Sequence, residues 1–213
     1  MLLKLLTLYK LGIQNLLWVA YYRLNLKLGL VTRHMDIQLP VTGAFFNDPK
    51  IAANPQLDSI VWQGFGWVDL DNSAHPKWNQ ALLSGAIADV NDFHWSKISD
   101  FSLNVGDIKT VWELSRFDWL LCFCVDYLKT GNAEFIDKIN TWLVDWSKSN
   151  PTNAGINWKC GQEASIRLMH LCVTALLLKQ EKSLTPAFIE FIKQHLARIK
   201  PTVLYAMAQD NNH

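Results

Sequence analysis

No two of the four cysteines, Cys122, Cys124, Cys160 and Cys172, are spaced as a CxxC pair. That removes the usual zinc signature. Four free and mostly buried thiols are expected, because free cysteine packs as a small hydrophobe. An excess of charge is missing too: 20 basic against 19 acidic side chains leave a net charge of +1. A dedicated nucleic-acid binder normally carries a strong basic excess, so none is expected. A local basic groove for an acidic ligand is still compatible, since net charge says nothing about distribution. There is no long uncharged run near the start. Residues 11–22 are the longest such stretch, short of the ~20 that a membrane span needs. No small-residue cleavage site follows, so no standard signal peptide is expected, and periplasm and cytoplasm stay equally open as locations.

What is abundant is apolar mass. Half of the 213 residues are hydrophobic and 18% are charged, enough for a core and too apolar for general disorder. Ten tryptophans are expected mostly in that core. Residues 1–30 are apolar with spaced cations, Lys4, Lys10, Arg23 and Lys27. The main reading is an amphipathic helix packed on the protein; the alternative is a helix lying on a membrane surface.

Residues 34–105 carry Pro40, Pro49, Pro55 and Pro76 among several glycines. An irregular segment with a few short strands is expected, 59–62 among them. From Asp107 the texture turns helical. Asp107 suits an N-cap for a helix over 108–129, which Gly131 stops. A second helix is expected over 133–149 and ended by Asn150-Pro151. A loop over 152–160 precedes a third over 162–179, apolar on most sides. A fourth starts at Thr185-Pro186, with Phe188, Ile189, Ile192, Leu196 and Ile199 as its apolar set. Pro201 ends it or opens a fifth. Helices of this length on short loops form antiparallel hairpins, which bury their faces by stacking. The expected fold is mainly α, with 1–106 packing on a helical region 107–213. The array stops just after a polar cluster, so it reads as cut.

Three segments are specific. They are DIKTVWELSR at 107–116, NPTNAGINW at 150–158 continuing to Glu163 and Arg167, and NNH at 211–213. In that order and spacing they resemble the N-terminal helical domain of heparinase II/III-like polysaccharide lyases. The resemblance is good over 107–213 and loose over 1–106. It implies an (α/α) toroid, here incomplete, followed by a β-sandwich domain. It also implies cleavage of an acidic, uronate-containing glycan by β-elimination, without metal or cofactor. Asn212 and His213 would be catalytic. A catalytic tyrosine and a second histidine would lie beyond His213.

The remaining residues have two readings each. Glu113 with Arg116, and Glu163 with Arg167, sit at ion-pair spacings on helices. Alternatively Arg116 or Arg167 meets a uronate carboxylate or a sulfate, to which the guanidinium fork is matched. Trp158, in a loop between Asn157 and Lys159, is expected to line the cleft and stack on sugar. Asn157 either bonds a hydroxyl or closes its own loop. His170, in an apolar helix, reads as a satisfied buried histidine. Two other functions stay open. One is an (α/α)-toroid glycoside hydrolase, with Glu113, Glu163 and Asp210 as the only candidate carboxylates near these segments. The other is a non-catalytic glycan-binding module linked to surface-polysaccharide assembly.

Overall fold

The computed structural model describes residues 2–99 and 104–208, with side chains from residue 12 onward. The protein is mainly α-helical, as expected. Helix α1 (Leu2–Lys27) is broken at Gly12, whose φ of 76° is closed to most other residues. The chain then runs almost without regular structure to residue 99. Two short antiparallel strands, β1 (Gln63–Gly64) and β2 (Val68–Asp69), form a sheet. They lie just after 59–62, where the strand was expected.

The helical region follows the expected plan with one break. Asp107 accepts the Lys109 amide through its carboxylate at 3.0 Å, and α2 (Lys109–Trp112) leads into a 3₁₀ turn over Glu113–Ser115. The expected continuous helix over 108–129 is interrupted at Phe117, which adopts φ 71°. Left-handed backbone costs a bulky residue about 1–2 kcal/mol. Its ring is fully buried against Trp119, Trp146 and Phe191, which offsets that cost. Helix α3 (Asp118–Thr130) then runs to Gly131, a left-handed stop as expected.

Helix α4 (Glu134–Ser149) begins three residues later, so the chain reverses into a hairpin. Helix α5 (Gly161–Leu177) and α6 (Pro186–Ile199) make a second hairpin, with Thr185 capping α6 through the Phe188 amide. The α3 and α5 helices pack together and join the two hairpins. After a 3₁₀ turn over Lys200–Thr202, α7 (Val203–Ala208) packs against α1. Among the described residues no parallel strand pairing occurs.

The irregular segment belongs to the same core as the helices. Met35, Phe45, Phe46, Trp62, Trp78 and Trp95 pack in one cluster with residues of α3–α6. Side chains of α4 and of the turn after α5 supply the hydrogen bonds that a neighbouring strand would give. Asn140 accepts the Phe45 and Phe46 amides at 2.8 and 2.9 Å and donates to the Phe46 carbonyl. Ser147 accepts from Val41, and Gln180 pairs both ways with Asn47. An extended chain can be buried only when its amides and carbonyls find such partners.

Two expectations about faces need correction. On α6 the inward stripe is Phe188, Phe191, His195 and Arg198, while Ile189 and Leu196 are exposed. On α5, Glu163, Arg167 and Thr174 are buried, while Met169, Val173 and Leu176 face outward. Polar groups were drawn inward because the loop between α4 and α5 presents buried backbone that must be bonded. Seven of the ten tryptophans are buried. All four cysteines are free, but only Cys122 and Cys124 are buried. Burial pushes those thiols up to about 11 and about 12, so they stay protonated.

Candidate functional site

The first two specific segments meet in space. The turn after α2 brings Arg116 to the first turn of α5, where its guanidinium holds Glu163 with two parallel bonds of 2.9 and 3.0 Å. Its third nitrogen reaches Glu113 at 2.6 Å. The other Glu113 oxygen accepts the Phe65 amide in the turn between β1 and β2. Glu113 therefore pairs with Arg116, one of the two pairings expected. The Glu163–Arg167 pair does not form, because Glu163 is taken by Arg116 from the neighbouring turn. The pairing with Glu163 raises the Arg116 pKa further, so its charge is secure. Both carboxylates are about 5% exposed and the Arg116 side chain 25%. The trio carries a net charge of −1.

Arg167 lies in the interior. It is fully buried among the rings of Phe117, Trp146 and Trp158, with its guanidinium carbon 4.9 Å from the Trp146 centroid. Its Nε donates to Nε2 of His195 and one Nη donates to the Asn157 carbonyl. Burial pulls its pKa down to about 9. His195 accepts at Nε2 and so carries its proton on Nδ1, donated to the Phe191 carbonyl. Burial, and then the charge of Arg167, hold that ring neutral far below its ordinary range.

The loop 150–160 is the centre of this polar interior. Asn150 and Asn157 bond side chain to side chain at 2.9 Å, and the Trp158 indole donates to the Asn150 carbonyl. Trp112 donates to the Ile156 carbonyl. Arg198 takes the carbonyls of Trp158 and Lys159 while lying on the face of Trp95. Gly155 sits at φ 77°, and a β-carbon there would stand 3.0 Å from Asn91 Oδ1. That geometry gives the glycine of NPTNAGINW its physical reason.

The expected cleft lining by Trp158 is corrected: no part of its side chain is exposed. Asn157 and Arg167 are equally enclosed. A loop tryptophan was dragged inward because its indole donates to the Asn150 carbonyl at the end of α4 and its own carbonyl accepts from Arg198 of α6. Trp158 and Arg167 do converge, but in the core instead of on a concave face. Asn212 and His213 lie outside the described residues.

Two further residues join the surface-facing side of the site. His170 donates from Nδ1 to the Arg116 carbonyl, and its Nε2 lies 3.2 Å from an Asp118 oxygen. Burial raises the Asp118 pKa, and His170 opposes the rise. The signal was the spacing of Glu163, Arg167 and His170 on α5, four and three residues apart and thus on one helix stripe. Compared with family models, curated proteins and solved structures, the chain matches none of them. Among the described residues no group of metal-ligating side chains stands together.

Proposed function

We propose that this chain is the N-terminal part of a polysaccharide lyase that cleaves an acidic, uronate-containing glycan by β-elimination. The observation that carries the reading is the commitment of Glu113 and Glu163 to one arginine. A glycosidase needs one carboxyl free to hold a proton and another free to act as base or nucleophile. Both of these are instead anchored as anions on Arg116. The described part of the site thus speaks against the hydrolase, whose other candidate, Asp210, lies outside the described residues. The direct contact of the two specific segments supports treating their pattern as one unit.

In β-elimination a base removes the proton at C5, the C4–O bond breaks, a C4=C5 double bond forms, and the leaving oxygen takes up a proton. The C5 proton is acidic only if the adjacent carboxylate is neutralised by donors aimed at it. Asn212 and His213 are proposed for that task, with His213 as the base for one sugar epimer. Arg116 has a different part. Three of its five N–H groups are engaged by glutamates, and the trio is already anionic. It is suited to hold a sugar hydroxyl, not a third carboxylate. Trp158, Asn157 and Arg167 act from behind, by fixing the loop and α5. The exposed Met169, Val173, Leu176 and Leu196 are where a further hairpin of an (α/α) toroid would pack.

The test is ultraviolet detection of unsaturated product by the full-length protein and its Asn212→Ala variant. Turnover is expected to fall on the order of 10²–10³-fold with little change in binding, as when one oxyanion donor is removed. Unchanged turnover removes Asn212 from the mechanism. Glycan binding with no product from the full-length protein returns the reading to a binding module.

A further inference from the structure

From Gly12 onward, helix α1 has two apolar faces, one packed and one exposed. After the break at Gly12, Tyr22 stacks on Tyr205 of α7 at 4.4 Å, and Leu26 packs against the core. On the opposite side, Ile13, Leu17, Tyr21, Leu24 and Leu28 follow one another at intervals of four, four, three and four residues. All five are exposed, Ile13 at 81% and Leu17 at 66%. That spacing is one continuous stripe along the helix. Lys27 lies at one border of the stripe, with Arg23 exposed between it and the packed face, and Gln14 and Asn25 lie at the other border, by the 3.6-residue repeat.

The charge pattern around the stripe is one-sided. Residues 1–35 hold five basic side chains, Lys4, Lys10, Arg23, Lys27 and Arg33, and no acidic one. The remaining 178 residues hold fifteen basic and nineteen acidic. The near-neutral total thus hides a cationic apolar end on an acidic body.

We propose that α1 seats this protein on an anionic membrane surface, lying in the headgroup plane with the Ile13–Leu17–Tyr21–Leu24–Leu28 stripe turned toward the acyl chains. The inference is independent of the lyase reading. Cations bordering the stripe would reach anionic headgroups while their stems cover apolar surface. Tyr21 and the half-exposed Trp18 are the residue types that favour the lipid–water boundary. Spanning is excluded for the described helices, none being long and apolar enough. The segment after Gly12 is about 22 Å long at 1.5 Å per residue, short of an apolar core about 30 Å thick.

Charge decides between occupants. A second copy placed stripe to stripe would set Arg23 and Lys27 beside their own counterparts, with no carboxylate in 1–35 to meet them. An acidic glycan would satisfy the cations but leave five apolar side chains in water. An anionic lipid surface satisfies both.

The experiment is co-sedimentation of the 213-residue chain with vesicles of phosphatidylcholine alone or mixed with phosphatidylserine. Binding is expected to the mixed vesicles, with release at high salt. The double variant Leu17→Glu/Leu24→Glu should weaken partition at least tenfold. Arg23→Glu/Lys27→Glu should do so to a similar extent, since each cation near an anionic surface contributes to binding. Both pairs are exposed, and circular dichroism verifies that the fold is kept. Equal binding to both vesicle types, binding to neither, or variants that sediment like the parent each overturn the proposal. So does a dimer that Leu17→Glu dissolves, or retention on heparin without vesicle binding.

Discussion

Arg116 and Arg167 come from the same pair of sequence segments and flank the same glutamate, yet they live in opposite surroundings. Arg116 sits at the rim between two carboxylates and keeps a quarter of its side chain in solvent. Among the described residues Arg167 has no hydrogen-bonded carboxylate; its partners are a histidine nitrogen, a carbonyl and three aromatic faces. The difference shows that a basic residue in a recognisable pattern can serve either the ligand side or the interior. Guanidinium is weakly hydrated and planar, which makes both placements workable. The rim arginine is an electrostatic hub, whereas the inner one fills space and ties a loop to two helices.

The largest expected effect tests the inner station. Arg167→Ala would leave the Asn157 carbonyl and His195 Nε2 unpaired beside a cavity lined by tryptophan. A loss of about 3–5 kcal/mol in unfolding free energy is expected, measured by denaturant titration. Arg116→Ala, where a quarter of the side chain meets solvent and water can reach the two freed carboxylates, should cost less, about 1–3 kcal/mol. If the two losses come out equal, the contrast between rim and interior fails.

A smaller effect probes the loop that Arg167 holds. Gly155→Ala forces a β-carbon onto Asn91 in left-handed backbone and should cost about 1–3 kcal/mol, read from the same titration. A stability unchanged by Gly155→Ala would mean that the loop has slack and that Arg167 is not fastening it.

The smallest effect is in pH. His195 is held neutral by burial, and His94 is also lowered by burial. In the unfolded chain both rings take up protons below about 6.5. The unfolded state then binds more protons, so stability falls as pH drops through 6.5 toward the depressed native values. His195 alone contributes a limiting slope of about 1.4 kcal/mol per pH unit. His195→Gln should flatten that acid limb, whereas no flattening would place the charge sensitivity at His94, the other ring lowered by burial.

Much of the helical plan was legible because it rests on local rules: Asp107, Gly131, Asn150-Pro151 and Thr185-Pro186 act within a turn of where they stand. The break at Phe117 was not, since only tertiary packing makes left-handed phenylalanine tolerable. The outward turn of Leu196 and Val173 was hidden for a related reason. Periodicity assumes that apolar residues face the core, but here Arg198 and Arg167 bond carbonyls of the buried loop before α5, and His195 accepts from Arg167. For the site, the meeting of Arg116 with Glu113 followed from spacing, while its two bonds to Glu163 span 47 residues and no pattern announces them. Trp158 was misplaced because a loop position suggested exposure, and its indole had a buried acceptor in Asn150.

The side chains that hold the extended segment 41–47 have a consequence in time. Val41, Phe45, Phe46 and Asn47 bond to residues 94 to 133 positions later in the chain. During synthesis at ~5–20 residues per second, these amides wait roughly 5–25 s for Asn140, Ser147 and Gln180 to be made. Through that interval Phe45 and Phe46 have no core to enter. Docking of the extended segment 41–47 can therefore only follow synthesis of the helices and the turn that receive it.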